Sequence, residues 1–328
     1  MPPVLSTVAI LSTFLGVATP LPGQDTIRPV AVTFELNDAQ TKGLALEGVA
    51  VRVTALDGSA ELAAGKTGKD GRWTARLVPG TYQLAYRLEG FVPYESGATE
   101  VRRDGQIVTV SLSRLLESTE AGAREVRIIL NWGSDPTQVK DADSHLVCSC
   151  GAPDGHVFYS QREHRSGTHA VSLDVDDTDW GGPETITLTG SLSGTYLYWV
   201  HDYSGPPATL GASDAVVRVV IGAEQAGEFR VPRGLTSRDW RPFKAIEAGK
   251  DGLPRLVPFT PDEIAEAADL VLPAQYRTSG ATLPPPDPAN TTETTARRLP
   301  LTLLAGVVAA MLLVRAALHR RRRGGRRR

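Results

Sequence analysis

The chain has 328 residues, of which 41% are hydrophobic and 22% charged, and that is too apolar and too weakly charged for a chain disordered throughout. The formal net charge of −2 hides a split: residues 24–298 carry 27 basic and 37 acidic residues, while the last 30 hold eight Arg and no acid. An acidic body repels phosphate, which argues against nucleic acid as a partner of the folded part.

In chain order, Val4–Val17 is an apolar run followed by small and Pro-rich residues, so residues 1–23 are expected to be a secretory signal peptide. From Val30 to Leu112 apolar residues recur at every second position: Val30, Val32, Phe34 and Leu36; Val49, Val51 and Val53; Tyr82, Leu84, Tyr86 and Leu88; Val108, Val110 and Leu112. The turn pairs Asp57-Gly58, Asp70-Gly71, Pro79-Gly80 and Asp104-Gly105 separate these runs. Short alternating strands with no helix between them predict an all-β sandwich over 30–113.

Within that stretch, Gly48-Val-Ala-Val51, Thr67-Gly-Lys-Asp-Gly-Arg-Trp73, Leu77-Val-Pro-Gly-Thr-Tyr82 and Gly90-Phe91 follow one another in an order that resembles the carboxypeptidase regulatory-like family. The resemblance implies a transthyretin-like β-sandwich that binds or supports without catalytic residues.

Residues 114–124 form a polar linker, and a second β-rich body is expected over 125–245. Its strands are expected at Val126–Trp132, Thr185–Thr189, Gly194–Tyr203, Ala215–Gly222 and Glu228–Val231. Thr260-Pro-Asp-Glu263 is a capping box that opens a short helix within 246–278. The Pro- and Thr-rich residues 279–298 read as an extended stalk. Leu299–Val314 is uncharged and spans about 24 Å as a helix, short of a hydrocarbon core of about 30 Å. Extension to Leu318 closes that gap and predicts a transmembrane helix over 299–318. The Arg-rich tail 319–328 then lies in the cytoplasm, and the bulk of the chain is extracytoplasmic.

Five of the six histidines, His145, His156, His164, His169 and His201, fall in the second body with its densest carboxylates. In Asp141-Ala-Asp-Ser-His145 an extended backbone places Asp141, Asp143 and His145 on one face, which is unusual for a purely structural strand. Asp174, Asp176, Asp177 and Glu184 follow. Carboxylates from two or three loops supply the six to eight oxygens that Ca²⁺ takes, so these seven residues are the candidate metal ligands. A Zn²⁺ site built from His145, His201 and a carboxylate is the alternative. The third reading makes the acids turn formers and hydrogen-bond partners. Cys148 and Cys150 are candidates for a Cys-x-Cys disulfide or for soft-metal binding. Trp180, beside Gly181-Gly182-Pro183, is the aromatic residue expected to be exposed to a ligand.

Leu130-Asn-Trp132, Asp141-Ala-Asp-Ser-His145, Phe158-Tyr-Ser160, Leu173-Asp-Val-Asp-Asp-Thr178, Gly182-Pro-Glu184, Gly194-Thr-Tyr196 and His201-Asp-Tyr-Ser204 together resemble YfaP-like domains, exported β-rich domains without an assigned activity. No Gly-x-Ser-x-Gly elbow, His-Glu-x-x-His helix or phosphate-binding loop is present. The sequence therefore predicts a membrane-anchored binding or adhesion protein, not an enzyme, with Ca²⁺ in its second domain and a protein or carbohydrate ligand. A metal-dependent hydrolase and an accessory subunit of an envelope complex are the alternatives.

Overall fold

The computed structural model describes residues 28–116, 125–148, 155–167, 169–249, 251–260 and 263. The expected signal peptide, most of the linker, the stalk, the membrane span and the Arg-rich tail lie outside these residues. Among the described residues no helix is long and apolar enough to cross a membrane.

The described chain is almost entirely β-strand. The N-terminal body contains β1 (Val30–Asp38), β2 (Ala50–Ala55), β3 (Glu61–Lys66) and β4 (Arg72–Leu77). It continues with β5 (Gly80–Arg87), β6 (Tyr94–Glu95), β7 (Thr99–Val101) and β8 (Gln106–Leu112). One sheet has the order β4-β1-β8, with β1 antiparallel to β4 and parallel to β8. The facing sheet has the order β3-β2-β5-β6, with β7 also paired to β5. Their inner residues share one core, in which Val32, Phe34 and Leu36 of β1 meet Val51 and Val53 of β2, Leu84 and Tyr86 of β5, and Leu112 of β8. The period-two pattern of the sequence is the cause: alternate side chains of a strand point to one face, and burying that face drives the sheets together.

The C-terminal body opens with β9 (Val126–Asn131), β10 (Ala142–Cys148), β11 (His156–Val157) and β12 (Glu163–Ser166). It continues with β13 (His169–Val175), β14 (Glu184–Gly190), β15 (Thr195–Asp202) and β16 (Val216–Ile221). β17 (Glu224–Arg230), β18 (Asp239–Trp240), β19 (Ala245–Ala248) and β20 (Pro254–Val257) complete it. Its two sheets run β12-β13-β14-β9-β16-β17 and β11-β10-β15-β19-β20, with β18 paired to β15. They enclose a core that includes Ile128, Leu130, Leu146, Ile186, Tyr196, Tyr198, Val217 and Phe243.

The alternation expected for β9 holds on its inner face, but all six of its residues are buried. The outer face is covered by the N-terminal body. Ile129 packs with Ala39, Val92 and Val220 in a small separate core, and Asn131 donates to the Ser111 hydroxyl at 2.9 Å. The Arg127 guanidinium donates to the Ser113 hydroxyl at 2.8 Å. A polar residue on the outer face of a strand reads as solvent-exposed until a second body caps it.

The capping box at Thr260 is formed as the sequence indicates: the Glu263 amide donates to the Thr260 hydroxyl at 3.3 Å, and the Thr260 amide donates to the Glu263 carboxylate at 2.9 Å. The helix expected to follow lies outside the described residues.

Candidate metal centre

The centre forms where an incompletely covered edge of β10 meets the start of β14. β11 pairs only with Leu146 and Val147 of β10, so among the described residues the first half of β10 has no strand partner on that side. The Ser144 amide there donates to Glu184 Oε2 in the opposite sheet. Glu184 reaches this position because Gly181 and Gly182 both adopt left-handed backbone, with φ of 102° and 74°. At Gly182 a Cβ atom would stand 2.8 Å from the Trp132 ring and 3.0 Å from the Leu130 carbonyl, so only glycine fits.

Asp143 and Glu184 are buried, and Asp176 is half-buried beyond the end of β13. One carboxylate oxygen from each of these three residues lies within 4.8 Å of the others. Asp143 Oδ2, Glu184 Oε1, Asp176 Oδ1 and Asp141 Oδ1 are all buried without a hydrogen-bond partner. Ionised oxygens buried in this way are costly, because each has lost water without a donor in exchange, and a proton shared between Glu184 and Asp176 relieves only that pair. Burial and the neighbouring Asp141 charge push the Asp143 carboxyl up to about 7. Burial and the Asp176 charge push Asp141 up to about 6, and burial and the Asp143 charge hold Glu184 well above the usual carboxylate range. A hard divalent cation would satisfy the orphaned oxygens and reverse these shifts.

The other three sequence candidates are turned elsewhere. β13 carries a register shift between Leu173 and Val175 and ends there, so strand alternation no longer fixes Asp174 and Asp176 to one side. Asp174 accepts from the Ser172 hydroxyl at 2.6 Å and from the Thr187 hydroxyl at 2.5 Å. Asp177 pairs with Lys42 of the N-terminal body at 3.3 Å, and the Lys42 ammonium also donates to the Asp176 carbonyl at 2.8 Å.

His145 points to the outer face of β10 and joins an aromatic stack. Its ring centroid lies 4.9 Å from Trp199, 5.2 Å from His156 and 5.4 Å from Phe158. Its Nδ1 is 3.0 Å from His156 Nε2. Burial holds the His145 imidazolium well below its ordinary range and brings His156 down to about 4, so both rings are neutral at pH 7. His201 Nδ1 lies 2.8 Å from Asp239 Oδ1. Among the described residues the gathered group of three ligand atoms, from Asp143, Asp176 and Glu184, includes no histidine, while the His145 and His201 rings lie 5.9 Å apart, edge to face. His145 is an aromatic core residue that also carries ring nitrogens, and its place in Asp-x-Asp-x-His conceals that.

Cys148 is disulfide-bonded, and Cys150 lies outside the described residues. Trp180 is 38% exposed, its indole N–H donates to the Gln138 carbonyl at 3.4 Å, and the Lys140 ammonium lies 5.6 Å from its ring centroid. Sequence reasoning missed Asp239 and the role of His156. The Asp239-Trp240 strand is only two residues long and carries no periodicity.

No family model matches the chain, and no curated protein matches it. Among solved structures it is similar to the protein of unknown function SAV2460, at 19% identity over 42% of this chain and 88% of that one, with a TM-score of 0.33. It is also similar to the Bacillus anthracis TIE protein, at 14% identity over 63% of this chain and 32% of that one, with a TM-score of 0.24. For BcpA, the major pilin subunit of Bacillus cereus, the values are 11% identity, 72% and 94% coverage, and a TM-score of 0.24. Likeness at this level transfers no activity.

Proposed function

We propose that the protein is an exported, membrane-anchored binding module of two tandem β-sandwiches, whose second sandwich is stabilised by a calcium ion. The ion is held by Asp143, Asp176 and Glu184 with Asp141 beside them. The observation that carries the reading is the set of four buried carboxylate oxygens without partners. All-oxygen donors favour a hard cation over Zn²⁺. Burial of Asp143 and Glu184 favours a structural ion, because a catalytic one keeps an open coordination position for substrate. The apolar C-terminal run and its Arg-rich flank support the anchor. The carboxypeptidase regulatory-like resemblance of residues 30–113 supports a non-catalytic binding role, towards a protein or carbohydrate ligand.

Melting the full-length chain in EDTA and then in Ca²⁺, Mg²⁺ or Zn²⁺ tests the metal. Free Ca²⁺ at a hundred times its dissociation constant should add about 2.7 kcal/mol of stability. Asp143→Asn and Glu184→Gln should each abolish most of that gain. An unchanged melting temperature in all three metals would overturn the reading.

A further inference from the structure

The three-carboxylate centre and the contact between the two bodies share one stretch of chain. Residues 176–183 join β13 to β14, with Asp176 at their start and Glu184 directly after them as the first residue of β14. The N-terminal body meets this stretch at three points. At its start, the Lys42 ammonium donates to the Asp176 carbonyl at 2.8 Å and pairs with Asp177 at 3.3 Å. Further along, Asn131 is the bridge: its Nδ2 donates to the Gly181 carbonyl at 3.2 Å and to the Ser111 hydroxyl of β8 at 2.9 Å. Its Oδ1 accepts from the Ser111 amide at 3.2 Å. Just past the end, the Thr185 hydroxyl donates to the Ala39 carbonyl. Asn131 and Thr185 are both buried, so water does not replace these bonds without the bodies parting.

The ligands and the docking contacts are held by the same backbone. Glu184 and Thr185 are neighbours on a strand and point to opposite faces, one to the carboxylate centre and the other to the N-terminal body. Asp176 sends its side chain to the centre and its carbonyl to Lys42. Whatever fixes these two ligands therefore fixes the surface on which the N-terminal body rests. Without a cation the three carboxyls repel one another as anions or share protons, and neither state ties all three together. A cation bound to all three ties both ends of the stretch to β10.

We propose that the cation at Asp143, Asp176 and Glu184 controls the docking of the N-terminal body on the C-terminal body, so that metal binding and docking strengthen each other. The inference rests on the calcium reading and adds a regulatory role to the same site. Linkage makes the effect reciprocal: the factor by which docking tightens Ca²⁺ binding is the factor by which Ca²⁺ favours docking.

Titration of the full-length chain with Ca²⁺, together with amide hydrogen exchange in Ca²⁺ and in EDTA, tests the proposal. Val92→Asp disturbs the apolar contact of Ala39, Val92, Ile129 and Val220, none of which is a ligand, and should weaken Ca²⁺ binding about fivefold or more. Lys42→Met should weaken it by about two- to fivefold, as suits a half-exposed ion pair. Through charge alone each substitution would tighten cation binding, since one adds an anion and the other removes a cation, so the sign separates docking from simple electrostatics. Ca²⁺ should also slow exchange around residues 39–42 and 90–94 of the N-terminal body, which hold no ligand, as well as around 176–184. Lys42 is an exposed side chain, so Lys42→Met decides the matter if Val92→Asp does not fold. Unchanged or tighter Ca²⁺ binding in the folded variants, or slowing confined to the C-terminal body, would overturn the proposal and leave the calcium reading standing. Absence of Ca²⁺ binding by the unaltered chain would overturn both.

Discussion

Asp143, Asp141 and Glu184 hold protons more tightly in the folded chain than in the unfolded one, because burial and mutual repulsion raise them. For such a group stability is fully present below the unfolded value near 4 and falls as pH rises towards the folded value. The metal-free protein therefore loses stability from these acids between about pH 4 and about pH 7. The buried imidazoles act in the opposite sense in the same window. His145, His156 and His169 are depressed by burial, so their cost appears as pH falls from about 6.5 towards 4. The difference between the Ca²⁺ and EDTA melting temperatures removes the histidine contribution, and that difference should grow from pH 4 to pH 7. With burial and the Asp141 charge pushing the Asp143 carboxyl up to about 7, Ca²⁺ binding at pH 7 should release protons, measurable by titration in buffers of different ionisation enthalpy.

Elements explain which parts of this were legible. The alternation in β1, β2, β5 and β9 stands in the sequence because burying one face of a strand needs nothing but local periodicity. The shared face of Asp141 and Asp143 is legible for the same reason. The convergence of Asp143 with Glu184 and Asp176 is not, since the three are supplied by different strands of facing sheets and by a segment freed from the strand by a register shift. The outward use of Arg127 and Asn131 depends on a second body, of which local periodicity carries no trace. Gly182 shows how far one turn controls the site: it admits the Trp132 ring and feeds Glu184 into β14. Gly182→Ala meets both the ring and a left-handed backbone, and should cost about 1–3 kcal/mol. It should also weaken Ca²⁺ binding, a joint loss read by calorimetric melting with and without the metal.

At the scale of the whole molecule the two bodies are joined by more than a linker. The apolar contact of Ala39, Val92, Ile129 and Val220 is buried, and polar contacts surround it, among them Tyr94 to Glu228 and Lys42 to the Asp176 carbonyl. Such an interface makes unfolding of one body felt by the other, and the protein should melt in a single calorimetric transition. Val92→Asp places an unpaired charge in this contact, at a cost of about 3 kcal/mol or more. It should split the transition into two, whereas one cooperative peak in the variant would show that the bodies are not coupled there.

The parallel pairing of β1 with β8 bears on how the N-terminal body carries force. Seven residue pairs, from Val32 with Gln106 to Asp38 with Leu112, hold two strands that run in the same direction. Tension applied between Val30 and Leu115 pulls these strands lengthwise past each other, so the slanted hydrogen bonds of the ladder share the load together and do not peel one at a time. Under such a load the N-terminal body would have its mechanical clamp at the seam where its first and last strands meet.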